Sequence, residues 1–192
     1  MPNLLTIMRI IFSAVIALIL IFFQNNVAYF ISFILFCLAG ITDFFDGWLA
    51  RRKNQISDLG RMLDPIADKI LVISTLIILM SNNVIESYNI IAALIIIYRE
   101  IFISGLREFF GNKSFTIHVT KLSKWKTAIQ FITILSFFIS AIVDEYFMYT
   151  HIINIFVNFV CTTLIWITSF ISLFTGINYL KNSYKYLNSK KK

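Results

Sequence analysis

Charge is scarce in this chain. Only 14% of its 192 residues are Asp, Glu, Lys or Arg, while 58% are apolar. Water-soluble domains carry about 25% charged and about 45–50% apolar residues. A protein of this size has no core large enough to hide the excess, so the bilayer is the natural solvent for it. Cysteine and histidine are nearly absent. Cys37 and Cys161 both sit in apolar stretches and read as small apolar fillers, which excludes a disulfide framework. His118 and His151 stand isolated, so neither reads as a base or a zinc ligand. There is no low-complexity segment, no repeat and no Gly-x3-Gly pairing motif. No small-residue cleavage site follows the first apolar run, which Arg9 interrupts, so that run is expected to stay in the protein.

What is present is a series of long apolar segments. A helix needs roughly 20 apolar residues to cross a bilayer. Six segments are candidates, the third short on apolar residues because it opens with Asp64 and Asp68: Leu4–Phe23, Val27–Ala50, Pro65–Met80, Tyr88–Leu106, Thr127–Val143 and Ile152–Leu180. The expected fold is therefore all-α, a polytopic membrane protein of six transmembrane helices forming one domain over 1–192. With the N-terminus inside, the outer loops fall near Gln24–Asn26, Ser81–Ser87 and Asp144–His151. They carry Glu86, Asp144 and Glu145 and none of the 17 Lys and Arg residues. That is a positive-inside pattern with both termini cytoplasmic. The net charge of +7 thus reads as membrane topology, and no nucleic-acid partner is expected. The basic tail Lys181–Lys192 reads as a solvated end near anionic headgroups, and Trp48 and Trp125 as anchors at the inner boundary.

Four aspartates stand where charge is expensive. Asp43 and Asp46 lie at the inner end of the second segment, and Asp64 and Asp68 at the inner start of the third. Their spacings, i,i+3 and i,i+4, put each pair on one helix face. The loop Arg51–Leu63 is expected to bring the two helix ends together, with Gly60 permitting a tight return. Asp64 precedes Pro65, which suits the first position of a helix, so Asp64 is expected to cap that helix. Carboxylates so gathered repel one another unless protonated or bridged by cations. Oxygen donors suit hard cations such as Mg²⁺ or Mn²⁺, and a pair of them assists displacement at phosphorus. Gly47 and Ala50 are small enough for a nucleotide to approach, and Arg51 offers a planar fork for phosphate. The competing reading, interfacial caps and ion pairs, explains one aspartate better than four.

The pattern Asp43-x2-Asp46-Gly47-x2-Ala50-Arg51-x8-Gly60-x3-Asp64-x3-Asp68 resembles the signature of the CDP-alcohol phosphotransferases at every defining position. The resemblance implies six transmembrane helices, an active site at the cytoplasmic ends of helices 2 and 3 in the bacterial inner membrane, and a homodimer. It implies that two divalent cations, Mg²⁺ or Mn²⁺, bind Asp43, Asp46, Asp64 and Asp68. Asp68 would also be the general base, taking the acceptor's proton as the alcohol attacks the lipid-bearing phosphorus and CMP leaves. Gly47, Ala50, Arg51, Gly60 and, in the connecting loop, Ser57 would hold the CDP-lipid.

Three further stretches are similar to the bacterial phosphatidylglycerophosphate synthases of that family: Met1–Arg9, Arg99-Glu100 with Arg107-Glu108, and Lys124-Trp125-Lys126-Thr127. Within the first, Asn3 and Thr6 are further CDP-lipid candidates. The likeness implies CDP-diacylglycerol as donor and glycerol 3-phosphate as acceptor. A dianionic acceptor near carboxylates needs its own basic pocket, for which Arg107, Lys124, Lys126 and Arg99 are the candidates. Arg99 sits deeper in its helix, so a partner such as Glu100 or a headgroup is expected. Lys113 and Lys121 read as topology signals. Two alternatives remain: the same chemistry with serine or inositol phosphate as acceptor, and a cation transporter using the aspartates as ion sites. A transporter predicts acidic residues at mid-membrane, whereas these cluster at one end.

Overall fold

The computed structural model describes residues 2–53, 58–111, 121–146 and 151–189. It omits the side chains of 2–5, 43–53, 58–62, 111, 121–124, 145–146, 151, 185–186 and 189. Six helices occupy the described residues: α1 (Pro2–Phe22), α2 (Asn26–Lys53), α3 (Asp58–Ser81), α4 (Asn89–Gly111), α5 (Lys121–Tyr146) and α6 (His151–Ser189). Three of them contain stretches long and apolar enough to cross a membrane: Asn89–Phe110, Trp125–Asp144 and Ile152–Tyr184. Shorter apolar stretches occupy Thr6–Phe22 and Asn26–Thr42.

The distribution of side chains is that of a chain dissolved in hydrocarbon. Phe22, Phe159 and Phe170 are exposed, while Thr6, Arg9, Ser13, Gln130, Thr168 and Ser172 are buried. In a bilayer there is no reward for hiding apolar groups, and polar groups gain by finding partners inside.

The chain divides into two compact units. One comprises Met1–Glu86 with Ile134–Cys161, the other Ser87–Thr133 with Thr162–Lys192. In the first, Thr6, Arg9, Ser13, Ile16 and Leu20 recur every three or four residues as the buried stripe of α1. That stripe meets α3 along its length. Thr6 pairs with Asp64 and Arg9 with Asp68; Ser13 meets Ser74 at 3.1 Å, and Asn82 donates to the Leu20 carbonyl at 3.0 Å. The paired numbers rise together, so α1 and α3 run parallel, and the start of α1 lies beside the aspartates of α3. Phe36 of α2 packs against Phe138 of α5 at 5.8 Å.

Turn chemistry sets the helix boundaries. Asn25 caps α2 by accepting the Ala28 N–H at 2.9 Å. Beyond α3, Asn83 adopts φ 57°, the left-handed region that Asn tolerates. Its N–H reaches the Met80 carbonyl at 3.1 Å, and the Val84 N–H reaches that of Leu79 at 3.0 Å. These two bonds satisfy carbonyls that the helix end would otherwise leave open.

Helix α3 departs from expectation. It begins at Asp58, so Pro65 lies inside the helix. Asp64 therefore does not cap the helix, Gly60 is a helical residue and not a return turn, and the connection that was expected to span Arg51–Leu63 lies largely within α2 and α3. A proline in this position removes one backbone bond and crowds the carbonyl four residues back, costs that tertiary contacts must offset. Helix α6 continues into the basic tail as far as Ser189.

Candidate active site

The first half of α3 presents two carboxylates to the exterior and a packed face to the interior. Ala67 and Leu71 are buried, whereas Asp64 and Asp68 are exposed. Each aspartate is held from the inner side by α1. The Thr6 hydroxyl donates to Asp64 Oδ1 at 2.5 Å. The Arg9 guanidinium donates to Asp68 Oδ1 and forms an ion pair with it. Arg9 is 1% exposed and the Asp68 side chain 50%, so the pair has one dry end and one open end.

Oxygen donors with open faces are what Mg²⁺ and Mn²⁺ prefer. Asp64 and Asp68 fit that need. Among the described residues no group of three or more His, Cys, Asp or Glu gathers; the Asp43 and Asp46 side chains lie outside them. Their backbone is helical, within α2, as is that of Gly47, Ala50 and Arg51. Ser57 lies outside the described residues, as do the side chains of Asn3 and Lys124.

A second polar cluster belongs to the other unit. Arg99 of α4 donates through Nε to the Ser172 carbonyl at 3.2 Å and through NH2 to the Thr175 hydroxyl at 3.0 Å. Its NH1 lies 3.6 Å from Glu100. Lys126 of α5 pairs with the same Glu100 oxygen. Two cations thus share one carboxylate, and all three side chains are largely closed to solvent. Gly176 makes room for this, because a Cβ there would stand 3.1 Å from Arg99 Cγ. Arg107, exposed, lies over the Tyr179 ring at 5.7 Å.

Residues 1–175 match the model of the CDP-alcohol phosphatidyltransferase family. The chain belongs to this family. It is similar over nearly its whole length to bacterial proteins named CDP-diacylglycerol–glycerol-3-phosphate 3-phosphatidyltransferase. The protein from Cereibacter sphaeroides is 32% identical, with 99% of this chain and 98% of the relative aligned. The protein from Rickettsia bellii is 37% identical over 97% and 96%, and that from Rickettsia typhi 39% over 94% and 95%.

As a CDP-alcohol phosphatidyltransferase the protein is an enzyme of a generally divalent-cation-dependent family. The structure brings Asp64 and Asp68 together, each with a partner from α1. Of the residues considered for the acceptor, Arg99 and Lys126 meet at Glu100, with Arg107 on Tyr179. Arg9 received no role of its own in the sequence, where it interrupts an apolar run and closes the Met1–Arg9 stretch. The signal was there: a charge in an apolar segment requires a named counter-charge, and the carboxylates at the same end were available.

Proposed function

We propose that the protein transfers the phosphatidyl group of CDP-diacylglycerol to glycerol 3-phosphate, giving phosphatidylglycerophosphate and CMP. The observation that carries this reading is the end-to-end similarity to relatives bearing that activity in their names. The outward-facing Asp64 and Asp68 on one turn of α3 are in keeping with it.

In this reading the protein is a single catalytic domain over 1–192 with six transmembrane helices, an active site at the cytoplasmic ends of α2 and α3, and both termini cytoplasmic. It works as a homodimer in the bacterial inner membrane. Asp43, Asp46, Asp64 and Asp68 hold two divalent cations, Mg²⁺ or Mn²⁺, which neutralise the donor's diphosphate when bound. Asn3, Thr6, Gly47, Ala50, Arg51, Ser57 and Gly60 contact the CDP-lipid. Asp68 accepts the proton of the acceptor hydroxyl. The acceptor oxygen then forms a bond to the lipid-bearing phosphorus as the bond from that phosphorus to CMP breaks. Most of the acceleration comes from positioning and charge neutralisation, as in other phosphoryl transfers.

The acceptor's phosphate is assigned to basic residues of α4 and α5. Arg107 and Lys124 are the leading ligands, because Arg99 and Lys126 already serve Glu100. The test is an acceptor panel. Purified enzyme with CDP-diacylglycerol should release CMP with glycerol 3-phosphate and far less with serine, inositol or inositol phosphate. Release with a phosphate-free acceptor alone would overturn the assignment.

A further inference from the structure

We propose that Tyr179 of α6 is a positioning residue for Arg107: its ring holds the guanidinium where the acceptor's phosphate is to be met. The proposal rests on the assignment of that phosphate to Arg107 above, and it adds a residue that touches neither substrate.

The register of α4 on α6 is the first support. The stretches concerned belong to one compact unit. Arg99 of α4 reaches the Ser172 carbonyl and the Thr175 hydroxyl of α6 at 3.2 and 3.0 Å. Further along both helices, Arg107 lies over the ring of Tyr179, 5.7 Å from its centroid. The paired numbers rise together, so α4 and α6 run parallel along this seam. Gly176 lets them approach: a Cβ there would stand 3.1 Å from Arg99 Cγ and 3.9 Å from Ile103 Cδ1. Arg99, Ile103 and Arg107 follow one another at i,i+4 and so share a face of α4. Arg99 anchors that face on α6, and the anchor sets which α6 residue Arg107 meets. Tyr179 is half-buried while Arg107 is exposed, so a seated ring carries an open cation.

The kind of partner is the second support. A ring within about 6 Å attracts a guanidinium through its quadrupole and brings no negative charge. Arg99 and Lys126 are instead held by the Glu100 carboxylate. A carboxylate competes with an incoming phosphate for a guanidinium's N–H groups, whereas a ring face does not. An arginine already steadied on a ring also loses less freedom when its ligand arrives, which strengthens binding. The rival account makes Tyr179 an aromatic anchor at the membrane boundary. An anchor affects stability and leaves acceptor affinity alone, so the two accounts differ in what they predict for KM.

The experiment uses the full chain in detergent. Initial rates of CMP release are measured against glycerol 3-phosphate and against CDP-diacylglycerol, alongside thermal unfolding. Tyr179→Leu should raise KM for glycerol 3-phosphate about two- to fivefold, the size of an exposed cation–π contact. Its kcat and its KM for the donor lipid should not change, the pattern of lost uniform binding. Tyr179→Phe keeps the ring and should match the parent. In an Arg107→Gln background Tyr179→Leu should add nothing, because a residue that acts through Arg107 has no effect once Arg107 is gone. If Tyr179→Leu does not fold, Tyr179→Met carries the same comparison. An unchanged acceptor KM with a lower unfolding temperature would overturn the positioning role and leave the Arg107 assignment standing. So would an equal rise in KM with and without Arg107, or a rise in Tyr179→Phe as large as in Tyr179→Leu. An unchanged KM in Arg107→Gln itself would defeat the assignment and the positioning role together.

Discussion

Lys126 and Arg99 converge on the same oxygen of Glu100, so one carboxylate serves two buried cations. Arg99 also spends its other nitrogens on the Ser172 carbonyl and the Thr175 hydroxyl. Glu100→Gln should therefore be the most damaging single change in this unit. Removing one partner of a buried pair costs about 3–5 kcal/mol. Lys126→Met leaves Arg99 and Glu100 paired and should cost less. The double variant should recover part of the loss, which thermal unfolding in detergent would measure.

Glycine at 176 and at 105 should respond in opposite ways to alanine. At Gly176 the new Cβ would stand 3.1 Å from Arg99 Cγ, close enough to force the guanidinium stem aside. Gly176→Ala should cost about 1–3 kcal/mol, in the range for overpacking. At Gly105 nothing lies within 4 Å. Gly105→Ala should stabilise by about 0.5–1 kcal/mol through helix propensity alone. Unfolding temperatures of the two variants, compared under one condition, check both signs.

Pro65 lies inside α3, between the two exposed aspartates. Pro65→Ala would restore one backbone bond and relieve a steric clash, worth up to about 3 kcal/mol in a helix interior. Stability should rise. Turnover should fall, because the proline ring fixes the backbone between Asp64 and Asp68. Thermal unfolding paired with CMP release separates the two effects. A variant both more stable and fully active would show that Pro65 plays no part in the site.

Asp68 and Arg107 should fail in different kinetic terms. Asp68→Asn removes the proposed base and should lower kcat by about 10²–10⁴-fold. Arg107, exposed and lying over Tyr179, is proposed to bind the acceptor's phosphate. Arg107→Gln should chiefly raise KM for glycerol 3-phosphate, and Arg107→Lys should do so less, since it keeps the charge and loses the fork. Initial rates against acceptor concentration distinguish these outcomes.

The number of helices and the donor chemistry were legible in the amino-acid order. Apolar runs announce themselves locally, though only three of the described helices reach membrane-crossing length, and aspartates at i,i+3 and i,i+4 share a helix face whatever surrounds them. The boundary of α3 was not legible. Pro65 is a common first residue of a helix, yet here the helix begins seven residues before it, at Asp58.

By itself, then, the order of residues determined the all-helical class, the family, and the carboxylates on which the proposed chemistry depends. The tertiary structure decided which partners the described buried charges take. Thr6 meets Asp64 across 58 positions and Arg9 meets Asp68 across 59. Arg99 finds Ser172 and Thr175 across 73 and 76. Periodicity reports only neighbours within a turn or two, whereas a buried charge takes its partner from whichever helix packs beside it.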